Sequence, residues 1–181
     1  MVCFLPLVYS KIEMFIEAKK LIGLPVAAMD TQSKVGKIRQ VLIDPQNGRL
    51  LGFLVSTGEL LATKKVLSVI DIKEWDPNGL VVSSIEDIIG KGEIIRIKEI
   101  LKNKIFILGM KAVTESGKSL GEVEDILLDT DTESVVKYYL KDLMQSRVFP
   151  AEKVVKIEKE IIFSDDTAEV PPDAAGVVNL A

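Results

Sequence analysis

The sequence predicts a mainly β protein made of two tandem small β-barrels joined by a short helical linker. Residues 35–55 place two apolar segments on either side of a turn cluster at 44–48, as in a β-hairpin with a short loop. Residues 120–140 repeat this hairpin at an offset of 85 positions. Two copies are too few for a solenoid, and they indicate a pair of similar domains.

The repeat preserves glycines, turn acids and apolar positions. At the offset of 85, Gly121 matches Gly36 and Asp129 matches Asp44. The matched apolar pairs are Val123 with Ile38, Ile126 with Val41, Tyr138 with Phe53 and Leu140 with Val55. Further along, residues 150–154 align with residues 62–66 at an offset of 88.

Both copies share one irregular spacing. Ile38 and Val41 are three positions apart, as are Val123 and Ile126, whereas a strand places same-face residues two apart. An extra residue in the ladder, a β-bulge, restores the phase and bends the strand. Such bends are typical of the corners of a small closed barrel.

These patterns divide the chain into five parts. We predict an N-terminal extension at 1–14, a first barrel of roughly six short strands at 15–83 and a helical linker at 84–104. The second barrel is predicted at 105–164 and a disordered tail at 165–181. Translation from Met14 instead of Met1 is an open alternative, because the repeating part begins just after it.

The linker contains an amphipathic pattern. Ile94, Ile97 and Leu101 fall at helical spacing, which predicts a short helix over residues 93–103. A strand is the competing interpretation, because residues 94–97 are rich in β-branched side chains.

Composition restricts the functional classes. The net charge of −4 argues against direct nucleic-acid binding, which depends on a basic surface. The chain has no histidine, and its one cysteine, Cys3, precludes an intrachain disulfide. We expect a cytoplasmic protein without a cofactor. The apolar run at 2–9 is too short to span a membrane, although peripheral membrane association stays open.

The turn residues are interpreted as structural. Asp44 and Asp129 stand where aspartate hydrogen-bonds its own turn backbone. Gly48 suits a positive φ in the first turn, and Gly36 and Gly121 precede the predicted bulges. We therefore expect no catalytic or metal-binding residues. The alternative is a carboxylate-based enzyme or metal-binding protein that uses Asp44, Asp129 and Glu133.

The segments LIGLPV and VGKIRQVLIDPQNGRLLGFLV, and the second copy ILGMKAVTESGKSLGEVEDILLD, resemble the PRC-barrel family. The resemblance covers residues 15–163 and marks the chain as two tandem PRC-type barrels. That family includes the cytoplasmic domain of the photosynthetic reaction centre H subunit and the C-terminal domain of a bacterial ribosome maturation factor. The resemblance implies a non-catalytic protein-binding or assembly module, with a ribosome-assembly adaptor as the alternative.

Strand alternation predicts a partner face. One parity of the second strand of each hairpin is the more apolar and is expected to face inward, namely Leu51, Phe53 and Val55, with Val136, Tyr138 and Leu140. The opposite parity also carries apolar groups. We expect burial within the chain for Leu50 and Leu54 of the first copy. In the second copy we expect a protein partner, or another copy of the chain, to contact Leu127, Val135, Lys137 and Tyr139.

Overall fold

A computed structural model describes residues 15–57, 65–89 and 94–169 of the protein. It confirms the mainly β fold with two sheets. The elements of the first half are β1 (Phe15–Glu17), α1 (Ala18–Leu21), β2 (Pro25–Ala28), β3 (Ser33–Ile43), β4 (Leu50–Ser56), β5 (Lys65–Ser68), β6 (Ile72–Asp76) and β7 (Gly79–Val82). Those of the second half are α2 (Ile94–Asn103), β8 (Lys111–Thr114), β9 (Ser119–Asp129), β10 (Ser134–Lys141), β11 (Ser146–Pro150), β12 (Val154–Ile157) and β13 (Ile161–Phe163). Short 3₁₀ turns occupy Val69–Asp71, Ile85–Ile89 and Ala151–Lys153.

The two halves have the same topology. The first sheet has the strand order β5-β4-β3-β2-β7-β6, and the second has β11-β10-β9-β8-β13-β12. In both, one pair is parallel, β2 with β7 and β8 with β13. The repeat seen in the sequence is therefore a repeat of the whole six-stranded unit. We call β2–β7 the first barrel and β8–β13 the second barrel.

Chain connectivity makes each sheet curl. β5 and β6 lie at opposite ends of the hydrogen-bonded order, but only the 3₁₀ turn Val69–Asp71 separates them in the chain. β11 and β12 are joined in the same way by Ala151–Lys153. Because a three-residue connection spans only about 10 Å, the two ends of each sheet have to meet. The result is a small barrel filled by inward side chains.

The predicted bulges are confirmed in both barrels. The register skips Arg39 between β3 and β4, and it skips the equivalent Glu124 between β9 and β10. Glycine is required just before each bulge, because the strands approach closely there. A Cβ at Gly121 would run into the carbonyl oxygen of Lys141, and one at Gly36 would run into the side chain of Val55.

A second pair of bulges was not predicted. The register also skips Leu51 in β4 and the equivalent Val136 in β10. This extra residue reverses the alternation at the start of both strands. The core therefore takes Leu50 and Val135, which are 2% and 6% exposed, instead of Leu51 and Val136.

α2 covers the outer side of the first barrel. Its apolar residues Ile97 and Ile100 are 3% and 2% exposed and pack in one cluster with Leu42, Leu51 and Leu54. The helix predicted for the linker is thus present, and the strand alternative is wrong. Burial of Leu54 within the chain is also confirmed.

The boundaries between the parts differ from the prediction at both ends. Residues 15–17, assigned to the first barrel, form β1 and pair antiparallel with β9 of the second. Residues 165–169, assigned to the disordered tail, hold to the second barrel, with Glu169 bridged to Val148 and Lys153 paired with Asp165 at 2.7 Å. Both segments are held by backbone pairing with residues far away in the chain, which the local sequence pattern does not indicate. The extension at 1–14 and the remainder of the tail, 170–181, lie outside the described residues.

The downstream alignment of the two copies is also corrected. β4 pairs Phe53 with Leu67, and β10 pairs Tyr138 with Phe149. Because Tyr138 corresponds to Phe53, the true offset here is 82 and not 88. The connection between β10 and β11 is shorter than that between β4 and β5, which changes the offset.

The two barrels join through equivalent positions. The N–H of Leu50 donates to the carbonyl of Glu133 at 2.7 Å, and the N–H of Val135 donates to the carbonyl of Gly48 at 3.1 Å. At the offset of 85, the donor Leu50 corresponds to the donor Val135, and the acceptor Glu133 corresponds to the acceptor Gly48. The bridge between Arg49 and Ser134 lies between the two bonds. The barrels are therefore related by an approximate two-fold axis through this bridge.

Within the described residues, no helix has the length and apolar character needed to cross a membrane.

Candidate partner face of the second barrel

The repeat allows the outer surfaces of the two barrels to be compared position by position. The first outer face consists of Leu42, Leu51, Leu54 and Val66. The equivalent positions define the second outer face, which consists of Leu127, Val136, Tyr139 and Val148. Both are apolar surfaces on the three strands that follow one another in the sheet, β3–β5 and β9–β11.

The two faces differ in burial. On the first, Leu42, Leu51 and Leu54 are at most 6% exposed because α2 lies over them. All four residues of the second outer face are half-buried. Among the described residues no helix lies over this face in the way that α2 lies over the first.

The second outer face has occupied edges. On one side, β1 pairs with β9 and places Phe15, which is 51% exposed, opposite Asp129. On the other side, the N–H of Glu169 donates to the carbonyl of Val148 at 2.7 Å. The apolar surface is thus bordered by hydrogen-bonded backbone on both sides, although its side chains remain accessible.

Charged groups surround the tyrosine at the centre. Burial, and then the nearby Glu17 carboxylate, raise the pKa of Tyr139 above its usual value. Lys137 pairs with Glu169 at 2.6 Å, and this hydrogen bond raises the pKa of Lys137. Tyr139 therefore stays neutral at physiological pH and presents an apolar ring with a polar hydroxyl, the kind of side chain enriched in protein interfaces.

One residue of the predicted partner face is misplaced. Val135 is 6% exposed and packs in the core, because the bulge at Val136 reverses the alternation of β10. Of the other predicted residues, Leu127, Lys137 and Tyr139 lie on the outer side and are half-buried. Sequence reasoning missed Val136, since apolar residues adjacent in the chain, at 135–136 and 138–140, conceal the phase of a strand.

Val148 was missed for a different reason. The predicted offset of 88 places residues 150–154 opposite 62–66 and therefore does not bring β11 opposite β5. With the offset of 82, Val148 corresponds to Val66. The apolar pattern of β11 would have shown this position had the shorter connection been recognised.

The turn aspartates serve the backbone. Asp44 accepts a hydrogen bond from the N–H of Gln46 at 2.9 Å through one oxygen and one from Arg96 of α2 at 2.9 Å through the other. Asp129 accepts from the N–H of Asp131 at 2.8 Å and from the hydroxyl of Thr132 at 2.9 Å. The contact of Asp44 with α2 is a second role that the sequence did not reveal.

Glu133, the third carboxylate of the alternative enzyme hypothesis, makes a different kind of contact. Glu133 pairs with Arg49 at 3.6 Å across the junction of the barrels. In the parts of the chain that the structure describes, no three acidic or cysteine side chains are grouped so that they could hold a metal ion.

Two curled sheets share one six-strand topology, to which β1 is added in the second, and are related by an approximate two-fold axis. This arrangement defines the class of a tandem small-barrel protein. The model of the PRC-barrel domain matches residues 13–100 and again residues 107–171. The chain therefore belongs to the PRC-barrel family. The first match includes most of α2, in agreement with the packing of that helix on the first barrel. A search of curated proteins finds no match.

Proposed function

We propose that the protein is a non-catalytic docking module that binds a partner protein through its second outer face, in the cytoplasm. The observation that carries this proposal is the difference between equivalent surfaces. α2 buries the first outer face, whereas Leu127, Val136, Tyr139 and Val148 stay half-buried. A grouped apolar surface of this kind on a folded domain is typical of an interaction site.

The composition of the face fits protein recognition. A central aromatic residue with apolar neighbours and a polar rim is the usual arrangement of an interface hot spot. Here Tyr139 is central, Val148 is its cross-strand neighbour, and Lys137 and Glu17 belong to the rim. We assign no catalytic role, because Asp44, Asp129 and Glu133 are engaged in turn and junction contacts.

The test compares two matched substitutions in the tagged full chain. Tyr139→Arg places a charge in the proposed face, and Val155→Arg places one on β12, where Val155 is 53% exposed. The partner is captured from the native cell, purified and titrated. We expect Tyr139→Arg to weaken its binding at least about tenfold, as loss of a central aromatic contact does. Val155→Arg should bind as the unaltered protein does.

Equal binding by both variants would contradict the assignment of the face. Thermal unfolding of each variant serves as the control for folding. Sedimentation of the unaltered protein distinguishes a different protein from a second copy of the chain as the occupant.

A further inference from the structure

We infer that the segment bound by the second outer face is an amphipathic α-helix of a partner protein, seated as α2 is seated on the first. This inference rests on the proposed function and specifies the partner's structure. It is based on the comparison of the two outer faces. They consist of equivalent positions, and the first is covered by an amphipathic helix, α2.

α2 defines the chemistry of the occupant. Ile97, Ile100 and Leu101, at spacings of three and four, form the stripe that packs on the first outer face. Lys98 and Glu99 are exposed on the side away from the barrel. Ten residues of helix, about 15 Å long, are sufficient to span the three strands of the face. A partner segment therefore needs about three turns with one apolar stripe.

The structure favours a helix over an added strand. Partner strands bind by completing the backbone hydrogen bonds of a free sheet edge. Beside the second outer face, β1 already pairs with β9 at residues 127–129, and Glu169 already bridges Val148. What remains accessible is a surface of side chains, and a helix with an apolar stripe buries such a surface without needing backbone partners.

The residue types at equivalent positions also agree between the two faces. Leu42, Leu51, Leu54 and Val66 are replaced by Leu127, Val136, Tyr139 and Val148, so every position stays apolar. The larger Tyr139 ring in place of Leu54 adds a hydroxyl at the surface. The second face thus accepts a similar helix, and the tyrosine and rim charges distinguish its partner from α2 itself.

The probe is the protein's own helix supplied as a peptide. Residues 94–103, acetylated, amidated and held helical by a staple between exposed positions 98 and 102, are titrated into the full-length protein. Chemical shifts are followed by NMR. We expect saturable shifts of Leu127, Val136, Tyr139 and Val148. The same peptide with Ile97→Ser and Ile100→Ser is the control and should give none.

The protein variants locate the binding. Tyr139→Arg should raise the Kd of the stapled peptide at least about tenfold, whereas Val155→Arg should leave it unchanged. Absence of shifts at about 1 mM peptide, or shifts confined to the first outer face, would overturn the helix inference. If the purified partner still depends on Tyr139 in that case, the docking function stands and only the helical form of the ligand is wrong.

Two other occupants of the second outer face, residues 1–13 and a second copy of the chain, would give different results. Peptide binding that appears only in a chain beginning at Met14 would show that residues 1–13 occupy the face themselves. Self-association that Tyr139→Arg abolishes would show that a second copy occupies it. Either result overturns the inference of a helical partner.

Discussion

At the residue scale, Asp44 and Asp129 are equivalent residues whose hydrogen-bond partners differ. Each accepts a hydrogen bond from the N–H two positions further along, so each closes its own turn. Asp44 also accepts a hydrogen bond from Arg96 of α2, and its side chain is 3% exposed. The repeat therefore preserves the turn, while α2 adds a contact in the first copy.

We expect Asp44→Asn to reduce the free energy of unfolding by about 1–2 kcal/mol and Asp129→Asn by less than about 1 kcal/mol. Asparagine can still accept from the turn N–H in both cases, but at position 44 it loses the charge-assisted bond to the half-exposed Arg96. Urea unfolding measures both. In an Arg96→Ala background the cost of Asp44→Asn should fall to that of Asp129→Asn. An undiminished cost there would contradict this explanation.

Gly48 and Glu133 occupy equivalent turn positions with the same backbone. Their φ values are +69° and +53°, so Glu133 adopts a left-handed conformation that favours glycine. A Cβ at Gly48 would meet nothing within 4 Å, which means that conformation and not space distinguishes the two residues.

Exchanging these residues should have opposite effects. Glu133→Gly should stabilise the protein by about 0.5–1 kcal/mol, because relief of the left-handed strain exceeds loss of an exposed ion pair. Gly48→Glu should destabilise it by about 1 kcal/mol. Calorimetric unfolding checks both, with Glu133→Asn as a control that removes the ion pair but tolerates the conformation. Destabilisation by both Glu133→Gly and Glu133→Asn would show that the ion pair with Arg49 outweighs the strain.

At the scale of elements, α2 determines that the first outer face is buried. Both outer faces consist of apolar residues on equivalent strands, β3–β5 and β9–β11, and α2 lies over the first. α2 supplies Ile97 and Ile100 and brings Leu54 down to 6% exposure. A helix that connects two barrels thereby becomes part of the first.

The same substitution should therefore act differently on the two faces. Leu54→Arg places an unpaired charge under α2 and should cost at least about 3 kcal/mol of stability. Tyr139→Arg stays within reach of solvent, near Glu17 and Asp125, and should change stability by less than about 1 kcal/mol. Thermal unfolding of both variants distinguishes them. Global unfolding of Tyr139→Arg would show that its face belongs to the core.

At the scale of the whole molecule, each half completes the other. β1, from the first half, pairs with β9 of the second, and the N–H of Lys19 donates to Asp125 at 3.0 Å. α2, which leads into the second barrel, covers the first. The reciprocal bonds between Leu50 and Glu133 and between Val135 and Gly48 join the barrels at their pseudo-two-fold axis.

Cutting the chain between the barrels should not separate them. Residues 1–91 and 92–181, produced together as two chains, should purify as a 1:1 complex, because β1 and α2 are exchanged between the halves. Analytical ultracentrifugation measures the complex. Leu54→Arg in the first fragment should weaken the complex by disrupting the packing of α2 on the first outer face. Leu143→Arg in the second, in the exposed connection between β10 and β11, should not. Fragments that sediment independently would contradict the reciprocal arrangement.

The sequence by itself determined the features that local spacing records. The repeat of Gly36, Asp44 and their counterparts identified two equivalent hairpins. The three-residue spacing of Ile38 and Val41 predicted a bulge that the structure contains. The helical spacing of Ile97 and Leu101 predicted α2. The bulge and helix signals arise within a few residues, where backbone period and side-chain burial are directly linked, and the repeat shows such local patterns twice.

Only the tertiary structure decided which surfaces meet. The bulge at Val136 moves Val135 into the core, and two adjacent valines at 135 and 136 do not mark which of them faces inward. The pairing of β1 with β9, the attachment of Glu169 and the seat of α2 on the first barrel join segments far apart in the chain. Such contacts form because buried area and backbone hydrogen bonds are satisfied over the whole molecule, so a local pattern cannot encode them.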